Sequence, residues 1–278
     1  MPELPEVETV RRGLEPVVTG RTISAVELRR PDLRIPFPPG FCSGLVGRRM
    51  DRVGRRGKYL LVVCGDGTVL VIHLGMSGRF TIVPNDAPGP EPGPHDHVVL
   101  HIGDGGRLIY TDPRRFGLMT LAPLPELETH RFFKDLGPEP LNAGFTGASL
   151  SRALDRRRSS IKSALLDQRV VAGLGNIYVC EALHRAGLSP RRQAHTVTGP
   201  CAERLVGCVR GVLAQAIAAG GSSLKDYARV DGQLGYFQYA FAAYDRAGEV
   251  CPREDCGGKI HRILQHGRST FMCDSCQR

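Results

Sequence analysis

Tyr59-Leu60-Leu61-Val62-Val63-Cys64-Gly65-Asp66-Gly67-Thr68-Val69-Leu70-Val71-Ile72-His73-Leu74 decides the fold of the first half of the chain. Two apolar, β-branched runs flank a Gly-Asp-Gly turn, the signature of a β-hairpin. The same pattern repeats outward. Residues 22–28, 79–83, 97–102 and 107–110 read as further strands, with Gly103-Asp104-Gly105-Gly106 as a second hairpin turn. No helical pattern alternates with these strands, so a β-sandwich fits better than a parallel α/β sheet. Residues 84–94 hold five prolines and read as a loop. Upstream, Val7, Val10, Leu14 and Val17 recur at helical spacing, with Pro5 suited to the first turn and Gly20 to the stop.

From about residue 134 the character changes. Residues 138–147 read as a linker, and helical patterns follow at 148–157, 160–168, 176–185 and 200–219. In the last, Leu205, Val209, Val212, Leu213 and Ala216 form an apolar stripe that reads as core rather than as a binding face. From about residue 244 the chain is cysteine-paired: Cys251-x4-Cys256, sixteen residues, then Cys273-x2-Cys276. Two close thiol pairs joined by a hairpin-length spacer suit one tetrahedral Zn2+, and a segment too short for its own core needs such a staple. Two disulfides are the alternative, disfavoured in a reducing compartment. His261 and His266 could replace a ligand, but they lie inside the hairpin. The expected fold class is α+β multidomain: residues 1–133 a β-sandwich with an opening helix, 134–147 a linker, 148–243 a helical domain, and 244–278 a zinc-finger β-hairpin.

The 278 residues carry a formal net charge of +9, with 32 arginines against 5 lysines. Arginine is the preferred donor to phosphates and base edges, and nucleic acid is the default partner of a basic chain. An arginine-rich composition bias would give the same skew. No apolar run approaches the ~18 residues of a transmembrane helix. No charged-then-apolar leader precedes the first motif, so a cytoplasmic protein is expected rather than a secreted one. Cys42, Cys64, Cys180, Cys201 and Cys208 are scattered through apolar or mixed stretches and read as reduced thiols.

The chain opens Met1-Pro2-Glu3-Leu4-Pro5-Glu6-Val7-Glu8-Thr9. Methionine before proline is normally removed, which would leave a free secondary amine. α-Amino groups titrate near pKa ~8, so part of it is uncharged at neutral pH. Such an amine attacks an aldehyde-like carbon to give an iminium, an electron sink like a lysine Schiff base. Glu3 beside it is a candidate general acid or base. The competing reading is that Pro2 and Pro5 punctuate a helix start.

Further motifs follow in order. They are Gly57-Lys58-Tyr59-Leu60, His73-Leu74-Gly75-Met76-Ser77-Gly78, His95-Asp96-His97 and Thr111-Asp112-Pro113-Arg114-Arg115-Phe116-Gly117. Next come Leu136-Gly137-Pro138-Glu139-Pro140-Leu141, Leu165-Leu166-Asp167-Gln168, Gly173-Leu174-Gly175-Asn176-Ile177-Tyr178, and the finger from Gln265 to Cys276. Each is weak alone. Together, over the whole chain, they resemble the formamidopyrimidine-DNA glycosylases, bacterial enzymes that remove oxidised purines from DNA.

The resemblance implies a bifunctional glycosylase and abasic-site lyase of base excision repair. It would be a monomer acting on double-stranded DNA that contains oxidised purines or abasic sites, with a helix–two-turns–helix element and one structural Zn2+ on Cys251, Cys256, Cys273 and Cys276. Pro2 matches the nucleophile, Glu3 a proton-transfer group, and Lys58 a second proton donor whose alternative is a plain strand-edge lysine. Arg268 matches a finger residue that grips phosphate and is assigned to δ-elimination; its high pKa favours the clamp over proton donation. His73, His95, Arg158, Lys162 and Asn176 match positions near the DNA backbone. Asn176 opens a helix after a Gly-x-Gly turn, a phosphate-binding arrangement. Met76, Arg114 and Phe116 match a wedge that fills the gap left by a flipped base. Ser222, Ser223, Lys225 and Tyr227 match a mobile lesion loop between glycines. One departure stands out: the first knuckle is Cys-x4-Cys where the family usually has Cys-x2-Cys. The alternatives are a non-catalytic damaged-DNA-binding zinc protein on the same scaffold, and an oxidised-pyrimidine glycosylase of the endonuclease VIII type.

Overall fold

A computed structural model describes residues 2–85, 91–103, 105–223, 230 and 234–278. Packing divides the chain into two compact units, Met1–Lys134 with Ala219–Tyr236, and Asp135–Ala218 with Phe237–Arg278. The four-part division above is cut on composition; by packing, the helices and the cysteine-rich end share one unit, and 219–236 falls with the first.

The first unit opens with helix α1 (Leu4–Val18). Pro5 lies in its first turn, where a missing N–H is tolerated. Val7, Val10 and Leu14 are buried as expected, with Val18 rather than the partly buried Val17 completing the stripe, and Gly20 at φ 81 lets the chain turn away. Eight strands follow: β1 (Ile23–Leu28), β2 (Met50–Arg56), β3 (Tyr59–Cys64), β4 (Thr68–His73), β5 (Arg79–Val83), β6 (Asp96–Ile102), β7 (Arg107–Thr111) and β8 (Leu118–Pro123). They make two antiparallel four-stranded sheets, ordered β1-β6-β7-β5 and β2-β3-β4-β8. The opening stretch is the β3–β4 hairpin, with Leu60 opposite Ile72 and Val62 opposite Leu70. These four side chains share one core with Val98, Leu100, Leu108 and Tyr110 of the other sheet and with the α1 stripe. That is the sandwich the strand pattern predicts. Strands β2 and β8 go unforeseen because neither looks like a strand. Met50-Asp51-Arg52-Val53-Gly54-Arg55-Arg56 is mostly charged and lies at a sheet edge, and β8, at the other edge, ends in Pro123.

In the second unit, α2 (Gly147–Leu154), α3 (Ile161–Leu166), α4 (Asn176–Ala186) and α5 (Gly199–Ala218) precede a hairpin of β9 (Ile260–Gln265) and β10 (Arg268–Cys273). The five-residue stripe expected on α5 is buried, where α5 packs against α2 and α4. The turns between α3 and α4 are laced by Gln168. Its Nε2 donates to the Leu174 carbonyl at 2.8 Å, and its Oε1 accepts the Gly173 N–H at 2.8 Å. Cys180 on α4 is a core thiol, 1 % exposed. Among the described residues no helix is long and apolar enough to cross a membrane.

Candidate nucleic-acid interface and metal centre

In the first unit, Pro2 is buried at the start of α1. Glu3, 2 % exposed, precedes the helix and donates its backbone N–H to Glu6 Oε2 at 2.8 Å. The other Glu6 oxygen accepts the Ser222 N–H at 2.8 Å. Lys58 is no solvated edge lysine. It occupies the two-residue β2–β3 turn after Gly57 (φ 56) and is 8 % exposed. Across the β3–β4 hairpin, the His73 ring meets Tyr59 edge-on at 4.9 Å, and its Nδ1 accepts the Gly75 N–H at 2.9 Å, so any proton on the neutral ring sits on Nε2. Burial, with Lys58 and Arg34 nearby, pushes His73 down to about 4, so the ring is uncharged at neutral pH.

Met76 and the Arg114–Phe116 turn lie on two loops held by one carboxylate. Asp112, fully buried, accepts from Ser77 Oγ at 2.6 Å and from the Gly117 N–H at 2.8 Å, while Ser77 Oγ accepts the Arg114 N–H at 3.1 Å. The loops touch so closely that a Cβ on Gly75 would sit 2.3 Å from the Phe116 carbonyl carbon. Phe116 is 45 % exposed, with the Arg114 guanidinium 5.0 Å over its ring. His95 is exposed and gives its carbonyl to the Asp112 N–H. In the sequence Asp112 stands inside a motif with no role of its own; its partners at Ser77 and Gly117 come from the fold.

The ends of the segment expected to form a lesion loop are hydrogen-bonded to each other. Ser222 bridges Tyr236, and Ser223 Oγ accepts the Gly235 N–H at 2.8 Å. Val230 packs on Gly13 of α1 so tightly that a Cβ there would meet it at 2.3 Å. Lys225 and Tyr227 lie outside the described residues.

In the second unit, Arg268 is exposed at the start of β10, after a His266-Gly267 turn with φ 49 and 72, the positive pair of a type I′ hairpin. Two residues expected near the DNA backbone converge on its neighbour Ser269. Lys162, 1 % exposed, donates from Nζ to the Ser269 carbonyl at 3.0 Å and to Thr270 Oγ1 at 2.6 Å. Asn176 Nδ2 donates to the same carbonyl at 2.9 Å. Arg158 is exposed. Among the described residues no side chain caps the N-terminus of α4, and Glu181 in its middle accepts three backbone N–H groups, of Ala242, Ala243 and Tyr244.

The four cysteine sulfurs expected to hold zinc lie within 4.8 Å of one another, with Cys251–Cys276 at 3.8 Å and Cys256–Cys273 at 3.5 Å. A tetrahedron with Zn–S bonds of about 2.3 Å has edges of roughly 3.8 Å, so the donor set fits the ion. The four-residue knuckle therefore still brings its two thiols into a tetrahedral donor set.

A basic chain whose helical unit sets an uncapped helix start beside a cysteine-clamped hairpin belongs to the helix–two-turns–helix class of DNA-binding proteins. Three family profiles make this specific: the formamidopyrimidine-DNA glycosylase N-terminal domain at residues 1–119, the formamidopyrimidine-DNA glycosylase H2TH domain at 136–228, and the zinc finger found in FPG and IleRS at 248–278. The chain belongs to the formamidopyrimidine-DNA glycosylase family. It is 55 % identical to the formamidopyrimidine-DNA glycosylase of Azorhizobium caulinodans and 56 % to that of Beijerinckia indica, over the whole of both chains in each case. Among solved structures, the MutM (Fpg) protein of Thermus thermophilus is 42 % identical with a TM-score of 0.87, covering 99 % of this chain and 98 % of that one. The Lactococcus lactis Fpg in complex with abasic-site DNA is 35 % identical with a TM-score of 0.89, covering 99 % of each.

Proposed function

We propose that this chain excises oxidised purines, 8-oxoguanine and formamidopyrimidines, from duplex DNA and cuts the strand by β,δ-elimination, acting as a monomer in the bacterial cytoplasm. The observation that carries the reading is the placing of Pro2 at the buried start of α1 directly before Glu3, whose carboxyl residue is itself almost fully enclosed. With Met1 removed, the Pro2 nitrogen bonds to C1′ of the damaged nucleotide. The bond from C1′ to the base breaks, and the base leaves with a proton. Opening of the sugar gives an iminium. Loss of the C2′ proton then expels the 3′ phosphate, and a second elimination breaks the 5′ C–O bond. Water releases the sugar fragment and restores the amine. Glu3 moves the proton at the opening sugar, and Lys58, enclosed in its turn, serves a second proton transfer.

Met76, Arg114 and Phe116, locked together through Asp112, fill the stack when the base is flipped out. Arg268 clamps a phosphate, with Lys162 and Asn176 bracing its strand; His73, His95 and Arg158 complete the backbone contacts. Ser222, Ser223, Lys225 and Tyr227 belong to the loop that closes on the lesion. In functional terms 1–133 carries the chemistry, 134–147 connects, 148–243 binds duplex, and 244–278 is the metal-held clamp. Zinc on the four thiolates rigidifies the hairpin and takes no part in bond breaking.

Borohydride trapping tests the reading. Met-free protein mixed with an 8-oxoguanine·cytosine duplex and borohydride should give a covalent adduct that maps to Pro2. No adduct would sink the catalytic assignment, and an adduct on Lys58 would move the nucleophile.

A further inference from the structure

Helix α4 ends against the metal centre. His184, 3 % exposed, places Nε2 3.2 Å from the Cys251 sulfur. Its carbonyl and that of Arg185 accept from the Arg253 guanidinium at 3.1 and 2.9 Å. Arg253 lies inside the four-residue knuckle, where this chain departs from the usual spacing. Gly187 (φ 66) ends the helix, and the guanidinium fills the space its side chain would need, 3.1 Å from an added Cβ. The second knuckle closes on the same turn: the Arg278 N–H donates to the Gly187 carbonyl at 3.0 Å, and Gln277 Nε2 to that of Leu188 at 2.8 Å.

A zinc-bound thiolate has no proton to give, so Nε2 must be the donor in this contact. That leaves Nδ1 as an acceptor, buried and with no hydrogen-bond partner among the described residues. An unpartnered buried nitrogen is costly, and a phenyl ring would fill the same space without it. What histidine offers here in return is the hydrogen bond to sulfur. Such a bond draws charge from the thiolate and fixes its orientation, as outer partners of metal ligands do. Arg253 acts differently: it binds the last carbonyls of the helix, where a cation is favoured, and thereby pins the knuckle that carries Cys251 and Cys256.

We propose that the C-terminal turn of α4 is the seat of the zinc centre, with His184 an outer hydrogen-bond donor to Cys251 and Arg253 a positioning residue for the lengthened knuckle. The helix that braces the finger strand at its start through Asn176 thus controls how firmly the ion is held at its end.

The test uses the full-length protein loaded with zinc or with Co2+, and reads chelator-captured zinc release and the sulfur-to-cobalt charge-transfer band. His184→Phe should release zinc roughly tenfold faster, the low end for an outer partner, and move the band to lower energy. His184→Gln, whose amide can donate to sulfur, should recover part of both. Arg253→Ala should speed release while leaving the band in place, and Arg253→Lys should restore it in part. An unchanged band and rate in His184→Phe overturns the donor role, and an unchanged rate in Arg253→Ala overturns the positioning role. Should His184→Phe not fold, the unmutated protein loaded with 113Cd decides the first point. A scalar coupling from the metal to the His184 Nε2–H is expected, and its absence removes the hydrogen bond.

Discussion

Between β2 and β3 the chain turns on Gly57-Lys58; between β9 and β10 it turns on His266-Gly267 and delivers Arg268. Both turns span two residues, both rely on positive φ, and both present a cation of the proposed site. Their support differs. The first hairpin stands on a core drawn from two sheets and a helix. The buried core of the second, among the described residues, is Ala243, Cys251, Ile260, Phe271 and Cys273, and two of those are metal ligands. One cation is held by hydrophobic packing, which is spread over many groups and fails gradually. The other is held by one ion and a few hydrogen bonds, which fail singly.

Removing the ion should give the largest contrast. Zinc binding supplies on the order of 10 kcal/mol of folding free energy in finger peptides. Cys273→Ser should therefore leave the β9–β10 amides unprotected against hydrogen exchange and abolish tight duplex binding, while β3 and β4 stay protected. Equal loss of protection in both hairpins would erase the distinction.

The sandwich has a weak point of its own in His73, and it responds to acid rather than to chelation. Its folded pKa, about 4, lies below the ordinary 6.5. Between those values the unfolded chain binds a proton that the native ring refuses, so stability falls as pH drops from about 6.5 to 4 and then levels. The loss is at most about 3 kcal/mol, from 1.36 kcal/mol per unit. Urea unfolding across that range should show the slope, and His73→Gln, which keeps an acceptor for Gly75, should flatten it.

Lys162→Met tests the finger's braces without touching the metal. Thr270 Oγ1 loses the Lys162 donor and the Ser269 carbonyl keeps its bond from Asn176. We expect a loss of about 2 kcal/mol in urea unfolding, with zinc content unchanged. A zinc-depleted variant would mean that Lys162 supports the metal rather than the strand.

The smallest effect is the most diagnostic. Arg268→Ala should flatten the salt dependence of duplex binding by roughly one unit of slope, one lost phosphate contact, equally for damaged and intact DNA. A defect confined to lesion-bearing duplex would make Arg268 a base reader.

The sequence and the structure agree best where structure is local. The β3–β4 hairpin, the α5 stripe and the four cysteines announce themselves through spacing, because period, turn chemistry and thiol pairs are short-range signals. Pro2, Glu3 and Arg268 could be picked out by motif. What spacing does not carry is the partner of a buried polar group. Lys162 matches a position near the DNA backbone, and its bonds to Ser269 and Thr270 are not legible there. Glu181 reads as one acidic residue on an apolar helix and closes three N–H groups some sixty residues away. Asp112 and Arg253 are likewise defined by groups distant in sequence, and β2 and β8 take their strand character from neighbouring strands rather than from their own residues.

Glu6 has a mechanical consequence. A carboxylate is a rigid plane, and here one oxygen holds the N–H of Glu3 while the other holds the N–H of Ser222. It works as a yoke. The backbone at Glu3 cannot tilt without dragging Ser222 or breaking one of these bonds. Displacing the backbone at Glu3 therefore loads the bond at Ser222, and Glu6→Gln, which keeps one acceptor and turns the other into a donor facing an N–H, strips one tooth from the gear.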